Sequence, residues 1–494
     1  MSSFDLDAYR VRAEGFLGEI DREYLLHLSG RKPELEVARL YEDHRELFAP
    51  GAVATLRELA SNAVDEDARR LRYLTQFALD GALGQATKHE AEELARLEAS
   101  LTVELAGAQI PFRQVPVVQA NEPDAGRRAE LERARNGLLA ERLEPLYQAA
   151  LERSHALCGE LGWQSYRAAY AELRGLDLDA LRKRTDRFLE STRDAYRSLL
   201  APQLARSEVP GLERLARSDI PRLLRAPSLD AGFPAERLVG SFAETLAGIG
   251  FDLAGQENVH LDTETRPSKS PRAFCSTPRV PDEVHLVVSP VGGREDFAAL
   301  FHEGGHVEHY ANTDRALPFE FRHLGDNGVT ESFAFLFEHL TEDAAWLEAR
   351  LGISDPAEIR AHAGATRLLM VRRYCAKLGY ELELHGEGAE LGALPGRYAS
   401  ALSDATGAAW PQETWLADVD GGFYVACYLR AWVLESHWRR ALCARHGEHW
   451  FDEPAAGVWL RELWADGQRL GVEQLLGETL GEELDFELLI EDLI

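Results

Sequence analysis

Apolar residues recur every three and four positions through the first 200 residues, as in LRYLTQFALDGALGQATKHEAEELARLEASL at 71–101. That period gathers the apolar side chains on one stripe of a helix and is not the two-residue alternation of a half-buried strand. A chain written this way folds as packed helices. Breaks are expected at Pro33, Pro50, Pro111 and Pro123, and the loop NEPDAG separates two helical blocks. Between Pro202 and about Pro234 proline interrupts the chain and leaves short helical pieces. Residues 256–296 are rich in Pro, Ser and Thr and hold the best strand candidate, Val284 to Val288. After Gly293 the helical pattern returns and runs to the end, where GEELDFELLIEDLI reads as a last amphipathic helix docked on the body. The expected fold is mostly α with one small sheet.

The 494 residues are more than one small core needs and allow several domains or one large two-lobed body. With 45% hydrophobic and 28% charged residues, disorder on a large scale is not expected. The 83 acids outnumber the 54 bases, and the net charge of -29 repels phosphate backbones. Nucleic acid is therefore an unexpected partner, and a neutral or basic ligand suits this surface better than an acidic one. Five cysteines, with no CxxC or other paired spacing, read as reduced thiols. MSSFDLDAYRVRAEGF has no basic region followed by an apolar core, so a secretory leader is not expected. No run of 18 apolar residues occurs, so no membrane span is expected. These features together predict a soluble cytoplasmic protein.

The chemistry concentrates in FHEGGHVEHY at 301–310. On a helix beginning near Asp296, His302 and His306 stand one turn apart on one face, where both imidazoles reach one ion. Glu303 lies beside them, placed to take a proton from a metal-activated water and return it to a leaving amine. Gly304 and Gly305 inside that helix each cost about 1 kcal/mol relative to Ala, so a close approach by another backbone or by substrate should compensate. A catalytic zinc needs a third protein ligand. Glu331 follows His306 by 25 positions in GDNGVTESFAFLFEHL, as a lone acid in an apolar helix, which is costly unless paired or metal-bound. Glu338, two turns further along the same face, is placed to accept the outer N–H of a ligand histidine.

HEGGHVEH followed by TESFAFLFE resembles the thimet oligopeptidase and oligoendopeptidase F family of zinc metallopeptidases. The likeness to the carboxypeptidase Taq and angiotensin-converting-enzyme families is more distant. The family pattern falls on His302, Glu303, Gly305, His306, His309, Glu331 and Glu338, and the upstream RAFC, VPDEVHLVV and GGREDFAALFHE are similar too. The resemblance covers residues 265–340 and, more weakly, a C-terminal stretch. It implies a mostly α, two-lobed, zincin-like body with a deep channel and one zinc ion on its floor. Over residues 1–494 the chain would be one peptidase unit, with an N-terminal helical lobe at 1–200 and a catalytic lobe at 201–494. Bound peptide would add to the edge of the 284–288 strand, and the channel would admit only short peptides.

The likeness weakens where the oxyanion of the reaction would be held. The family uses a His and two Tyr there. ADVDGGFYVACYLRAW offers Tyr424 and Tyr428, one turn apart, as candidates. Strict alignment on the two glycines instead places Cys427 and Arg430 at the family's tyrosines and Asp418 at its histidine. Arg430 is a charged alternative donor. His309 reads as a residue beside the metal ligands rather than a ligand. His323 and Asp326 are candidates for orienting a ligand histidine, His285 faces cleft or solvent, and Cys275 reads as a packed thiol. The leading function is a zinc-dependent oligoendopeptidase with Glu303 as general base. A carboxypeptidase or dipeptidyl carboxypeptidase would add a cationic clamp such as Arg430 or Arg272 for the free carboxylate. A peptide-binding homologue without activity is the third reading.

Overall fold

Helix carries most of the chain in the computed structural model, which describes residues 4–494 apart from 106 and 267. Among the described residues no helix is long and apolar enough to cross a membrane, and no two cysteines form a disulfide. Two small sheets interrupt the helices rather than one. The first is a hairpin inside the segment read as helical, β1 (Thr102–Leu105) against β2 (Ala108–Pro111), turning through Gly107 at φ 82°. Its apolar residues alternate over too few positions to stand out against the flanking helical period. Pro202 does not end a helix either, since it lies inside Arg193–Arg206. The terminal helix Phe486–Leu493 docks as expected, burying Phe486, Leu488, Leu489 and Leu493.

Two compact units share the chain. One comprises Met1–Ala82, Leu229–Arg360 and Arg430–Leu489, and the other Leu83–Ser228, Ala361–Leu429 and Ile490–Ile494. Residues 1–200 alone are therefore not one of the units. The first helix, Leu6–Leu28, packs against a strand from beyond residue 270 and belongs with it.

That strand lies in the three-stranded sheet of the first unit, made of β3 (Val259–Asp262), β4 (Phe274–Arg279) and β5 (Glu283–Val287) in the order β3-β5-β4. The expected strand at 284–288 is β5, shifted by one residue, and it is central. It pairs parallel with β3 and antiparallel with β4, so it has no free edge to which a peptide could add. The outer edges belong to β3 and β4.

The helix that carries HEGGH runs Arg294–Ala311 and starts two residues earlier than expected. Gly292 and Gly293, at φ 91° and 92°, make the entry that residues with a Cβ rarely adopt. Asp296 in the first turn accepts the N–H groups of Val291 and Gly292, both at 2.8 Å. Inside the helix, the two glycines answer the question their cost raises. A Cβ on Gly304 would stand 2.3 Å from the Phe242 ring, and one on Gly305 would stand 2.5 Å from the Phe333 carbonyl oxygen and 2.7 Å from the Ala334 Cα. Phe333 and Ala334 lie on the helix Asn327–Leu340, so the two helices touch backbone to backbone at Gly305.

Gly305→Ala is expected to destabilise the fold by about 1–3 kcal/mol, because the added methyl meets backbone rather than a movable side chain. Gly15→Ala, where nothing lies within 4 Å of the new Cβ, is expected to stabilise by about 0.4–1 kcal/mol. Urea midpoints of the two variants check both signs, and a neutral Gly305→Ala would refute the close-contact account.

Candidate metal centre

The helix Arg294–Ala311 sets His302 and His306 one turn apart, with ring centroids 5.0 Å apart and planes nearly perpendicular. The neighbouring helix Asn327–Leu340 brings Glu331 to both. Its Oε2 lies 3.4 Å from His302 Nε2 and 3.6 Å from His306 Nε2. One ligand atom from each of the three residues falls within 4.8 Å of the others, so the group could hold a metal ion. In a tetrahedral site with bonds of about 2.0–2.1 Å, ligand atoms stand roughly 3.3–3.4 Å apart. The spacing here is close to that edge length.

The outer faces of both imidazoles are engaged. His302 Nδ1 meets Glu338 Oε2 at 2.9 Å, and His306 Nδ1 meets Thr330 Oγ1 at 2.8 Å. A carboxylate accepts, so His302 carries its proton on Nδ1, and the same assignment on His306 makes Thr330 the acceptor. Both Nε2 lone pairs then face a carboxylate oxygen, three electron-rich atoms around one gap. A divalent cation would fill that gap, and these residues fit one. Without a cation, a proton must serve instead. Burial lowers the His302 pKa, but hydrogen bonds and charges from Glu331 and Glu338 outweigh it and hold it well above its ordinary value. Burial raises the Glu331 pKa, while His306 and His302 together hold it far below the usual carboxylate range.

Glu303 is not one of the converging ligands. Its Oε2 accepts the backbone N–H of Cys275 on β4 at 2.8 Å, and among the described residues it makes no other hydrogen bond. The second oxygen stays available for a proton.

The base of the Glu331 helix is fixed by charge. Asp326 caps it, accepting the Gly328 N–H at 3.0 Å, and also takes the Val472 N–H at 3.1 Å. Arg430, 2% exposed, grips both Asp326 oxygens at 3.1 and 2.6 Å and reaches Glu473 at 2.8 and 2.5 Å. This guanidinium is committed, which corrects its reading as an oxyanion donor or carboxylate clamp. Arg272 is exposed, and among the described residues its guanidinium has no partner.

The other expected residues have partners of their own. His309 is buried, its Nε2 meets the Gly467 carbonyl at 3.2 Å, and burial pushes its pKa down to about 3. It bonds neither ligand histidine and serves as a neutral core residue fixing the turn at 467. His323 accepts the Val280 N–H at 3.3 Å, so neither it nor Asp326 orients a ligand imidazole directly. His285 is half-buried and lies 3.3 Å from Glu283. Tyr424 and Tyr428 belong to the second unit, where their rings meet at 5.1 Å and Tyr428 meets Tyr374 at 5.3 Å. Asp418, in the same unit, bonds Arg373 and accepts the Tyr398 hydroxyl at 2.9 Å.

The sequence reading missed Thr330 and the Cys275 N–H. The signal for Thr330 was a second polar residue directly before Glu331 in an apolar helix. A backbone donor leaves no signal in side-chain identity. The sequence matches no protein-family model and no curated protein.

Glu338→Ala and Thr330→Val are each expected to weaken metal binding about 10–100-fold, because each removes the partner that fixes a ligand ring. Competition against a chromogenic chelator measures this. Unchanged affinity in both variants would show that the outer bonds do not orient the ligands.

Proposed function

We propose that this protein is a zinc-dependent peptidase acting on short peptides. The observation that carries the reading is the convergence of His302, His306 and Glu331 with Glu303 held beside them on the Cys275 N–H. Two imidazoles and one carboxylate suit zinc, and three protein ligands leave a fourth position for water or substrate. A zinc ion held there would acidify water and polarise the scissile carbonyl. Glu303 takes the proton of the attacking water on its available oxygen and delivers it to the leaving amine nitrogen. The Cys275 N–H keeps that carboxylate from turning away, while Glu338 and Thr330 keep the imidazoles aimed.

The resemblance to thimet oligopeptidase and oligoendopeptidase F supports a two-lobed zincin-like body with a substrate channel. Tyr424 and Tyr428, one helical turn apart and with rings that meet at 5.1 Å, are the candidate donors to the oxyanion. The acidic surface favours neutral or basic peptides. Cysteine usage favours a cytoplasmic setting.

Purified protein is expected to hold one zinc, to cleave a mixed pool of short peptides, to lose this activity on chelation and to regain it with zinc. Glu303→Gln should keep the metal and lose about 10²–10⁴-fold in rate, the usual share of general acid–base catalysis. Mass spectrometry reads the products, and metal analysis reads the ion. Full activity in Glu303→Gln, or in the metal-free protein, would sink the proposal.

A further inference from the structure

Arg373, Lys377 and Glu381 stand one turn apart on the helix Ala357–Leu384, so their side chains form a row on one face. A loop of the same unit meets that row at every second residue. Arg373 bonds the Asp418 carboxylate, which also accepts the Tyr398 hydroxyl at 2.9 Å. Lys377 bonds Asp420 at 2.7 Å, and Glu381 accepts the Asp420 N–H at 2.9 Å. Lys377 and Glu381 are buried. Burial raises the Glu381 pKa to about 8, so at neutral pH it is an uncharged acid and the Lys377 charge is matched by Asp420.

The grip continues at residue 422. Tyr166 accepts the Gly422 N–H at 2.8 Å, and Arg174 donates to the Gly422 carbonyl at 2.5 Å. A Cβ at Gly422 would stand 2.6 Å from the Tyr170 ring, so the loop is pressed against its surroundings there. Phe423 follows at φ 56° and is fully buried. For a bulky side chain that region costs about 1–3 kcal/mol and persists only where the surroundings impose it. The next residue is Tyr424. Its ring meets Tyr428 at 5.1 Å, and Tyr428 meets Tyr374 at 5.3 Å. Arg373 and Lys377 lie over the Tyr374 ring at 5.3 and 5.6 Å. The two cations therefore reach the pair of phenols by two routes, through the loop backbone and through the Tyr374 ring.

We propose that Lys377 and Asp420 are positioning residues for Tyr424 and Tyr428, fastening the loop that fixes the setting of both phenols. The inference rests on the peptidase reading above, with these phenols as donors to the oxyanion. A donor of that kind works because it is held in place before the reaction, with no reorganisation at the moment charge develops. Lys377 supplies the hold by pairing with Asp420, and the strained backbone at Phe423 carries it one residue further to Tyr424. Neither Lys377 nor Asp420 needs to touch substrate for this.

The test uses the full-length chain with zinc bound. Lys377→Met is expected to lower kcat roughly 10–100-fold, the usual effect of misplacing a catalytic group from a distance. KM and metal affinity are expected to stay unchanged, because the lost interaction acts in the transition state alone. In the Tyr424→Phe/Tyr428→Phe background, Lys377→Met is expected to cost nothing further. An equal loss in that background would show a merely structural role and overturn the inference, as would a wild-type kcat in Lys377→Met. Asp420→Asn keeps the shape of the loop and removes the charge, so it serves if Lys377→Met does not fold. The same loss in kcat alone is expected, and a wild-type kcat overturns the inference. A chain carrying 3-fluorotyrosine at 424 reads the setting of that phenol without substrate. One fluorine signal is expected in the wild type and a shifted or split signal in Lys377→Met or Asp420→Asn. Identical signals would overturn the positioning role and leave the peptidase reading intact. A wild-type chain that holds zinc and cleaves nothing would overturn the peptidase reading and this inference together.

Discussion

The backbone contact between the helices Arg294–Ala311 and Asn327–Leu340 at Gly305 is the constraint from which the site follows. A side chain at 305 would hold the second helix further off, and Glu331 reaches both histidines only because it does not. The glycines weaken their own helix by roughly 1 kcal/mol each. That loss is offset where Phe242 and Phe333 pack into the space, buried against Phe301, Phe337 and Trp438. The packing is apolar and the product is polar: three electron-rich atoms held around one gap.

Holding such atoms together requires more than packing, because a buried carboxylate beside two lone pairs repels them until a cation or proton arrives. The surrounding bonds supply the restraint. Glu338 and Thr330 fix the rings from outside, and both lie on the helix that carries Glu331. That helix is itself anchored at its start by Asp326, whose pKa burial would raise but Arg430 holds low. Arg430 thus bears on the candidate metal ligand Glu331 at a distance, through Asp326 and the helix cap. A short-range reading of its charge, as a donor to substrate, mistakes an anchor for a tool.

Local patterns carried much of this in the sequence. The helical period, the one-turn spacing of His302 and His306, and the solitary acid Glu331 in an apolar helix each state a local physical demand that the structure meets with those same residues. Glu338 was legible for the same reason, through its position on the Glu331 face. What was not legible depends on partners distant in the chain. The run at 284–288 reads as a strand, but only its pairing with both β3 and β4 shows that it has no edge. His309 belongs to the same motif as the ligands, yet its side chain points to Gly467, which no spacing rule reveals. The hairpin at 102–111 is too short to show a period, and the first helix joins the sheet unit through Asp21 and Thr277, more than 250 positions apart.

The last of these links bears on the chemistry. An exposed strand edge invites pairing with any extended chain, and proteins usually cover or charge such edges. β4 does both with carboxylates: Asp21 closes Thr277, and Glu303 occupies Cys275. The two acids differ in what stands behind them. Asp21 belongs to a helix pressed against the strand at Gly18 and tied down at residues 10 and 14. Glu303 follows the candidate ligand His302 directly in the chain, and its second oxygen makes no hydrogen bond among the described residues.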